Sequence, residues 1–266
     1  MQELLMSKNQ EIIEFDGQSC LYRHLLSQSY SETLFRSHMH NNLEIIYILQ
    51  GCAVYSYEGN SIVLNAGDIV VTPPGFYHYL KIEKGTMSER INVLIRKKIE
   101  FSTVAVYKAE NFFFDIFNSL EKYYKIISKD NLEMLFQTKI DEIILILQHL
   151  LLLPNQVQIQ TNSTIKKIID YINQNIYNPL TPKSVAKNCY LSEGHLHRVF
   201  KKALNTTPGN YILSKKLALA KNLIEKGDDT ISNIALKLGF EDYSVFYRGF
   251  KKLFNCSPNN IKKHLS

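Results

Sequence analysis

The sequence predicts an α+β protein of two domains, in which a β-rich N-terminal domain and a helical segment precede an all-α C-terminal domain. Three observations support this fold class. Short β-branched and aromatic runs, separated by turn residues, fill the chain from Cys20 to Val106, and this pattern is typical of a sandwich or barrel. From Asn111 onward the apolar residues recur at helical spacing instead. Near the C-terminus one string occurs twice, as RVFKKALNTTP from Arg198 to Pro208 and as RGFKKLFNCSP from Arg248 to Pro258.

Composition and charge restrict the class of protein. The 266 residues are 45% hydrophobic and 21% charged, as in globular proteins. The four cysteines are scattered without a CxxC pair, so we expect neither a disulfide nor a zinc framework, and a cytoplasmic protein. From Asn162 to the end there are 17 Lys and Arg against 7 Asp and Glu, whereas residues 1–161 hold 14 against 18. A basic C-terminal third indicates a polyanionic partner, most commonly nucleic acid, although charge alone also fits a solubilising surface.

The β-rich segment contains two strings of regularly spaced polar residues and glycines. They are HMHNNLEIIYILQG and GDIVVTPPGFYH, and in the first we expect the strand to end at Gly51. Arg36, His38 and His40 alternate in the chain, so on a strand they share one face. The spacings H-x-H-x3-E-x6-G and G-x5-P-x-G-x2-H resemble the two motifs of the cupin barrels, which implies a cupin-like β-barrel over residues 1–110. The residues that carry the resemblance are His38, His40, Glu44, Gly51, Gly67, Pro73, Gly75 and His78.

The segment 111–153 is predicted to be helical. Its apolar residues follow a helical period from Leu132 to Leu151, and the later turns are apolar almost all round. Such a helix either lies centrally in a core or forms half of a helix–helix interface, and we expect it to make a homodimer. The apolar run IILILQHLLLLP is too short to span a bilayer, so we expect no membrane association. The polar stretch 154–163 is predicted to be a linker.

Each copy of the repeated string belongs to a helix-turn-helix pattern. In LTPKSVAKNCYLSEGHLHRVFKK, a short helix precedes a turn and a second helix that begins at Ser192; TISNIALKLGFEDYSVFYRGFKK repeats the pattern, with Gly239 in the turn. Helices of this kind enter the major groove, where Arg contacts guanine and Lys contacts phosphate. A second copy lengthens the DNA site, which explains the repeat. The candidate DNA-binding residues on the polar faces of the second helices are Gly194, His197, Arg198, Lys201, Tyr243, Ser244, Tyr247, Arg248 and Lys251.

The segment from Thr164 to Leu265 resembles the DNA-binding domain of the AraC/XylS family of transcription regulators. The resemblance rests on the paired helix-turn-helix units, the string IALKLGFEDYSVFYRGFKKLFNCSP and the helix ILSKKLALAKNLI that would join the halves. It implies that the second helix of each unit enters DNA, and it adds His195 to the DNA-binding set. The family usually has Gly where this chain has Tyr190, and a non-glycine residue at positive φ costs roughly 1 kcal/mol. Because Gly194 presents no side chain, we expect the first unit to be less sequence-specific than the second.

For the whole chain, the resemblance implies a sequence-specific transcription regulator. Residues 164–266 would bind double-stranded promoter DNA, and the cupin-like domain would sense a small molecule, such as a sugar or a related metabolite. A second copy of the chain and RNA polymerase are further expected partners, and no cofactor is expected. The candidate effector-binding residues are Arg36, His38, His40, Glu44 and His78.

The polar residues of the cupin-like motifs leave other functions open. Three imidazoles and a carboxylate, from His38, His40, Glu44 and His78, could instead hold a metal ion or be purely structural. The alternative to a regulator is therefore a metal-dependent cupin enzyme with an accessory DNA-binding domain. The sequence contains no GxSxG, P-loop or GxGxxG string, so hydrolase, NTPase and Rossmann-type functions lack support.

Overall fold

The computed structural model of the chain describes residues 8–28, 33–34, 38–40, 42–97, 99, 101, 103–108, 111–150, 160–161, 163–227 and 229–263. Within them an antiparallel sheet domain comes first, two helices follow it, and a helical C-terminal domain ends the chain, so the predicted fold class is confirmed. The strands are β1 (Lys8–Asp16), β2 (Cys20–Gln28), β3 (Thr33–Leu34), β4 (Leu43–Tyr57), β5 (Asn60–Asn65), β6 (Asp68–Thr72), β7 (His78–Ile82), β8 (Met87–Ile95), β9 (Ala105–Lys108) and β10 (Gln160–Thr161).

Strand β4 holds the sheet domain together because it belongs to two antiparallel sheets. Its first half pairs with β8 and β6, and its second half pairs with β5 and β7. Gly51 lies at the change of sheet with a φ of +79°, where a Cβ atom would lie 1.8 Å from the carbonyl oxygen of Met87. The expectation that the strand ends at Gly51 is therefore wrong. Glycine at this position lets one strand bend from the first sheet into the second.

The turn that joins β4 to β5 consists of two residues, Glu58 and Gly59. Their φ angles are +41° and +83°, the positive values that a tight two-residue hairpin turn requires at both positions. A Cβ atom on Gly59 would lie 2.3 Å from the side chain of Ile165, in the C-terminal domain. The turn predicted from the letters EGN is thus present, and it lies against the second domain.

Helices α1 (Asn111–Tyr124) and α2 (Lys129–Leu150) pack against the sheet domain. Most apolar side chains of α2 are buried in one core with residues of β2, β4 and β8; Phe136 and Leu147 are fully buried there. Met134 and Leu145 are instead 68% exposed. Much of the apolar surface that the sequence assigned to a helix–helix interface therefore belongs to the core, and the exposed apolar face is narrower than expected.

The C-terminal domain begins with Ser163, directly after β10 pairs with β5. The predicted linker 154–163 lies mostly outside the described residues, apart from β10 and this first helical residue. The helices of the domain are α3 (Ser163–Gln174), α4 (Pro182–Asn188), α5 (Glu193–Leu204), α6 (Pro208–Lys226), α7 (Ile231–Lys237), α8 (Tyr243–Phe254) and α9 (Pro258–Lys263).

Polar residues cap the helices of the two helix-turn-helix units, and the predicted start of the second helix at Ser192 is confirmed. Thr181 caps α4 through a capping box, Ser192 caps α5 by accepting the N–H of His195, and Asp242 caps α8 by accepting the N–H of Ser244. Side-chain oxygens at these positions satisfy N–H groups that the first helical turn leaves unpaired. Two caps at matching places therefore start α5 and α8 in the same way.

The long helix α6 joins the two units. Tyr211 and Ile212 belong to the core of the first unit, whereas Leu217 and Ile224 belong to the core of the second. Between them lies the buried ammonium of Lys216, which donates a 2.7 Å hydrogen bond to the carbonyl oxygen of Asn178, before α4, and another of 2.7 Å to that of Leu238, at the end of α7. Burial lowers the pKa of Lys216. Among the described residues, no helix has the length and apolarity needed to cross a membrane.

Candidate DNA-binding surface and effector site

The second helix of the first unit, α5, separates an apolar face from a polar one. Leu196 and Phe200 are fully buried in the core of the unit. The predicted DNA-binding residues on the other face are all exposed: Gly194, His195, His197, Arg198 and Lys201. A Cβ atom on Gly194 would meet nothing within 4 Å, so packing does not require a glycine there. The basic part of this face is therefore free to contact a polyanion.

The second helix of the second unit, α8, has the same organisation. Phe246 and Phe250 are fully buried. Of the predicted DNA-binding residues, Tyr247 is half-buried, and the exposed ones are Tyr243, Ser244, Arg248 and Lys251. The hydrogen bond from the backbone N–H of Ser244 lowers the pKa of the Asp242 cap, so the cap is a carboxylate at neutral pH.

The two helices carry an arginine at the same position relative to their caps. Arg198 lies six residues after the cap Ser192, and Arg248 lies six residues after the cap Asp242. By the same count, exposed Val245 of α8 corresponds to His195 of α5. Val245 was not among the residues predicted from sequence, because an apolar residue on a helix is usually assigned to the core.

The turns inside the two units share an unusual backbone conformation. Gly239 has a φ of +69°, and Tyr190 has a φ of +57° with a side chain that is 96% exposed. Tyr190 therefore has the positive φ that a glycine in this turn would adopt, and the turn geometry does not differ to avoid it. A Cβ atom on Gly239 would lie 3.0 Å from backbone atoms of Asn178 and Pro179. Close packing therefore favours glycine in the turn of the second unit, whereas the side chain of Tyr190 in the first unit extends into solvent.

Four of the predicted effector-binding residues meet at one point of the sheet domain, while Arg36 lies outside the described residues. One ligand atom from each of His38, His40, Glu44 and His78 lies within 4.8 Å of the others. Backbone hydrogen bonds of 3.0 Å in both directions join His38 to His78. Glu44 Oε2 lies 2.8 Å from His78 Nε2 and 3.6 Å from His40 Nε2. We call these four residues the His/Glu cluster.

Burial and charge act in opposite directions in the His/Glu cluster. Burial alone would raise the pKa of the Glu44 carboxyl, but the charge of His78 and hydrogen bonds from His40 and His78 hold it well below its usual range. Burial likewise disfavours the charged form of His78, and Glu44 nevertheless raises its pKa. Glu44 is therefore a carboxylate, and it favours positive charge at the point where the imidazoles meet.

Further polar side chains line the interior of the sheet domain next to Glu44. Asn92 Nδ2 lies 3.5 Å from Glu44 Oε1, and the buried guanidinium of Arg90 donates a 2.7 Å hydrogen bond to Ser27. Among the described residues, the buried atoms Ser88 Oγ and Asn92 Oδ1 have no hydrogen-bond partner. Because buried polar groups are normally paired, this interior suits a polar ligand or water. Sequence spacing alone did not identify Arg90 or Asn92.

A contact between the two domains lies directly beside the His/Glu cluster. Glu58 accepts hydrogen bonds from Lys215 Nζ at 2.8 Å and from Tyr211 Oη at 3.0 Å, and Lys215 also donates to the carbonyl oxygen of Gly75 at 3.0 Å. The ring of Tyr77 lies 5.2 Å from that of Tyr211. We call this the interdomain contact. Its partners are far apart in the chain, so no local sequence pattern predicted this contact.

A second buried histidine lies between the sheet domain and α1. His24 contacts Glu121 at 2.8 Å and Glu89 at 2.9 Å, and the Tyr22 hydroxyl donates to Glu121 at 2.6 Å. Burial disfavours the charged form of His24, but the two carboxylates raise its pKa. His24, Glu89 and Glu121 line a cavity of about 370 Å³. This group was also missed from sequence, because its members come from separate strands and a helix.

Comparison with known proteins agrees with this architecture. Residues 185–264 match the model of a helix-turn-helix domain, and residues 22–98 match that of an AraC-like ligand binding domain. The lactose operon transcription activator of Staphylococcus xylosus is 25% identical over 234 residues, which cover 82% of this chain and 83% of that protein. The multiple antibiotic resistance protein MarA of Escherichia coli is 31% identical over 99 residues, which cover 37% of this chain and 78% of MarA. The crystal structure of ToxT from Vibrio cholerae O395 has a TM-score of 0.41 and 14% identity, covering 94% of this chain and 99% of that one.

The paired helix-turn-helix units and the ligand-binding fold define a ligand-binding transcription regulator. The chain belongs to the AraC/XylS family, with an N-terminal ligand-binding domain and a C-terminal helix-turn-helix DNA-binding domain. The family predicted from the sequence is therefore confirmed. One of the two relatives is named as a transcription activator and the other as an antibiotic resistance protein. Neither comparison supports the enzyme alternative.

Proposed function

We propose that this regulator binds promoter DNA through the polar faces of α5 and α8, under the control of a small polar molecule bound at the His/Glu cluster. One observation carries this proposal. The segment that begins β7 contacts both the His/Glu cluster and the C-terminal domain, because His78 belongs to the cluster while Tyr77 contacts Ser214 of α6 and Tyr79 contacts the carbonyl oxygen of Ala203 at the end of α5. We also propose the division into residues 1–110, 111–153, 154–163 and 164–266, and a cytoplasmic location.

On the DNA side, the equivalent positions of Arg198 and Arg248 support the proposal. An arginine in the N-terminal half of a major-groove helix contacts guanine through two hydrogen bonds. Lys201 and Lys251 follow one turn later and would contact phosphate. Val245 adds an apolar contact, which suits the methyl group of thymine. The second unit then contributes more of the sequence specificity, because Gly194 stands where the second unit has Ser244.

On the effector side, the chemistry of the sheet interior favours a hydroxylated or carboxylate-bearing molecule. Imidazoles, an amide and a guanidinium offer donors and acceptors. In the part of the chain that the structure describes, the buried atoms Ser88 Oγ and Asn92 Oδ1 have no hydrogen-bond partner. Tyr55 and Thr72, which hydrogen-bond each other, lie near this interior, and the ring of Tyr55 stacks on His78 at 5.8 Å. A sugar or a related metabolite fits this mixture of polar and aromatic groups.

Coupling between the sites would use the segment from Gly75 to Tyr79. Gly75 N–H donates to the carbonyl oxygen of His40, and the carbonyl oxygen of Gly75 accepts from Lys215. A ligand that shifts His40 or His78 therefore moves atoms that also hold α6. Because α6 joins the two units, such a shift changes how α5 and α8 are presented to DNA. A ligand has this effect only if it binds the two arrangements with different affinity.

The proposal includes a homodimer formed through the segment 111–153, and RNA polymerase as a further partner. Exposed Met134 and Leu145 on α2 and exposed Phe114 on α1 support a helix-mediated dimer, because exposed apolar groups on adjacent elements favour association. Two copies would place four helices of the α5 and α8 type on one promoter.

The experiment that tests the proposed function uses the full chain. A thermal-shift screen of sugars and small polar metabolites identifies a ligand, since binding to the folded state raises its melting temperature. DNA affinity is then measured with and without that ligand for wild type, His40→Ala and His78→Ala, with Lys84→Ala, at an exposed residue between β7 and β8, as the control. We expect the ligand to change wild-type and control affinity, and both cluster variants to need roughly ten- to a hundredfold more ligand. Wild-type responses in both cluster variants would exclude the His/Glu cluster as the effector site.

A further inference from the structure

The cavity of about 370 Å³ between the antiparallel sheet and helix α1 is separate from the His/Glu cluster. Its volume is within the range of small-molecule pockets. Ile91 lines the cavity, whereas its neighbour Asn92 on β8 contacts Glu44 of the His/Glu cluster. Successive residues of a strand point to opposite faces of the sheet. The cavity and the His/Glu cluster therefore lie on opposite faces of the sheet.

The polar groups of the cavity come from α1, β2 and β8. The α1 residues that line it share one helix face, because they are spaced at i, i+3, i+4 and i+7; they are Phe114, Phe117, Asn118 and Glu121. His24 on β2 and Glu89 on β8 line the side that the sheet forms. Among the described residues that line the cavity there is no lysine or arginine. Two carboxylates therefore face one imidazole, and the cavity is negatively charged even when His24 is protonated.

Glu121 keeps its negative charge although its side chain is largely buried. Burial alone would raise the pKa of its carboxyl group, but the contact with His24 and the hydrogen bond from the Tyr22 hydroxyl lower it. The charge of exposed Lys125, one turn further along the chain, acts in the same direction. A carboxylate in this environment favours a cation beside it.

The contacts of His24 leave a place for one more hydrogen-bond donor. Its side chain is more than nine-tenths buried, and Nε2 lies 2.9 Å from Glu89 Oε1. Since a carboxylate only accepts hydrogen bonds, Nε2 donates, and in the neutral ring Nδ1 is an acceptor. Nδ1 lies 2.8 Å from Glu121 Oε1 without hydrogen-bond geometry, and it has no hydrogen-bond partner among the described residues. Two buried acceptors at this distance are stabilised by a second proton on the ring or by a cation from outside.

We propose that this cavity binds a small organic amine, whose ammonium group bridges His24 Nδ1 and the carboxylate of Glu121. An ammonium group offers three donors, enough to satisfy both acceptors. The apolar part of the amine would lie against Phe117, which is buried, and Phe114, which is 47% exposed. Aromatic rings attract cations, so both phenylalanines favour the same class of ligand as the carboxylates.

A metal ion fits this cavity less well than an organic cation. Glu89 and Glu121 contact different ring nitrogens of His24, so their oxygens do not converge on one point. In the part of the chain that the structure describes, three or more ligand atoms of histidine, cysteine or acidic side chains come together only in the His/Glu cluster. An amine needs only one carboxylate and one imidazole nitrogen at its charged end.

A bound amine would hold α1 against the sheet, because both elements line the cavity. The ligand would thus act on the segment 111–153, which is also the segment proposed to form the homodimer. Amine binding here requires neither an effector at the His/Glu cluster nor DNA. Its failure would therefore leave both parts of the proposed function untouched, and failure of the effector screen would leave the amine site untouched.

The experiment measures amine binding to the full chain by isothermal titration calorimetry. The probes are n-butylamine and phenethylamine, and 1-butanol and 2-phenylethanol are their neutral analogues. We expect wild type to bind one amine per chain at millimolar concentration or below, and the alcohols about 10- to 100-fold more weakly, because they lack the charged hydrogen bonds. Glu121→Gln should lose affinity for the amines by a similar factor. Glu83→Gln, at an exposed glutamate between β7 and β8, is the matched control and should bind as wild type does.

The pH dependence distinguishes this site from general attraction of a cation. Burial disfavours the charged form of His24, but Glu121 and Glu89 raise its pKa, so the imidazole proton competes with the ammonium for one place. Loss of that proton as the pH rises should therefore strengthen amine binding, while an alkylammonium stays protonated up to about pH 10.

Circular dichroism checks that each variant is folded, and Phe114→Ala, at an exposed position, replaces Glu121→Gln if that variant is not; it should weaken phenethylamine binding. A wild type that binds neither amine at millimolar concentration would overturn the proposal. Equal affinity for amine and alcohol, or equal affinity in wild type and the folded cavity variant, would also overturn it. An amine affinity that falls from about pH 6 to about pH 8 would exclude the competition at His24.

Discussion

Replacing Tyr190 with glycine should stabilise the C-terminal domain. Tyr190 has a φ of +57° and its side chain is 96% exposed, so the ring contributes almost no burial. A left-handed conformation costs an L-residue roughly 1–2 kcal/mol. Glycine removes that cost but adds about 0.4–1 kcal/mol of chain entropy in the unfolded state. We therefore expect Tyr190→Gly to raise the free energy of unfolding by about 0.5–1 kcal/mol.

The corresponding change in the second unit should act in the opposite direction. In Gly239→Ala the alanine must adopt the positive φ of +69° that the glycine has. Its new methyl group also lies 3.0 Å from backbone atoms of Asn178 and Pro179. Backbone atoms cannot move aside as a flexible side chain can, so we expect a loss of at least about 1–2 kcal/mol. The pair of variants separates the effect of the turn from a general preference for glycine.

The assay is urea unfolding of the full chain, followed by helical circular dichroism. Tyr190→Asn is the matched control, because asparagine tolerates the left-handed region better than tyrosine but keeps a Cβ atom; it should lie between wild type and Tyr190→Gly. If Tyr190→Gly destabilised the protein by more than about 0.5 kcal/mol, the strain assigned to this turn would be refuted. A neutral Gly239→Ala would refute the steric argument for the second turn.

Three other predictions concern DNA, the interdomain contact and the dimer. The logarithm of DNA affinity should fall with the logarithm of salt concentration with a slope near −4.5, since about five phosphates would be neutralised; a flat response would contradict this. In a double-mutant cycle measured by chemical unfolding, Glu58→Gln and Lys215→Met should couple by about 0.5–3 kcal/mol, because both side chains are largely buried; additive effects would disprove the contact. Leu145→Asp should shift sedimentation from dimer to monomer, while Val63→Asp, at an exposed apolar residue of β5, should not; a monomeric wild type at micromolar concentration would exclude the dimer.

The paired units were predictable because their determinants are local. Capping residues, a buried residue every third or fourth position and a turn of three or four residues are all visible in about twenty letters of sequence. The caps at Ser192 and Asp242 fix where α5 and α8 begin, and this in turn fixes which side chains face outward. Even the strain at Tyr190 could be anticipated, because it follows from one missing glycine.

The His/Glu cluster was only partly predictable. His38, His40 and Glu44 are close in the chain, and the spacing before His78 provided the other half of the motif. His40 Nδ1 and His78 Nδ1 also lie 2.9 Å from the backbone carbonyl oxygens of Asn42 and Phe76, and no residue type encodes these contacts. The proximity of Asn92 depends on strand pairing between β4 and β8, and pairing partners far apart in the chain leave no local pattern.

Contacts between elements distant in sequence could not be predicted at all. Glu58 and Lys215 are 157 residues apart, and each looks like an ordinary surface charge in its own segment. Leu147 shows the same limitation in a different form. An apolar residue on a helix can face a core or a partner, and only the position of the neighbouring sheet decides between them.

The central claim is that sequence-specific DNA binding depends on the outward faces of α5 and α8, with arginine at base edges and lysine at phosphates. The most direct test selects a duplex site for the full chain from a random library, then measures affinity for that site and for a scrambled duplex. Arg248→Ala should lose about 1–3 kcal/mol of discrimination between the two duplexes, roughly 5- to 150-fold. Lys252→Ala, at the neighbouring exposed side of the same helix, should weaken binding to both duplexes by one factor. If Arg248→Ala also lowered both affinities by one common factor, the claim would be contradicted.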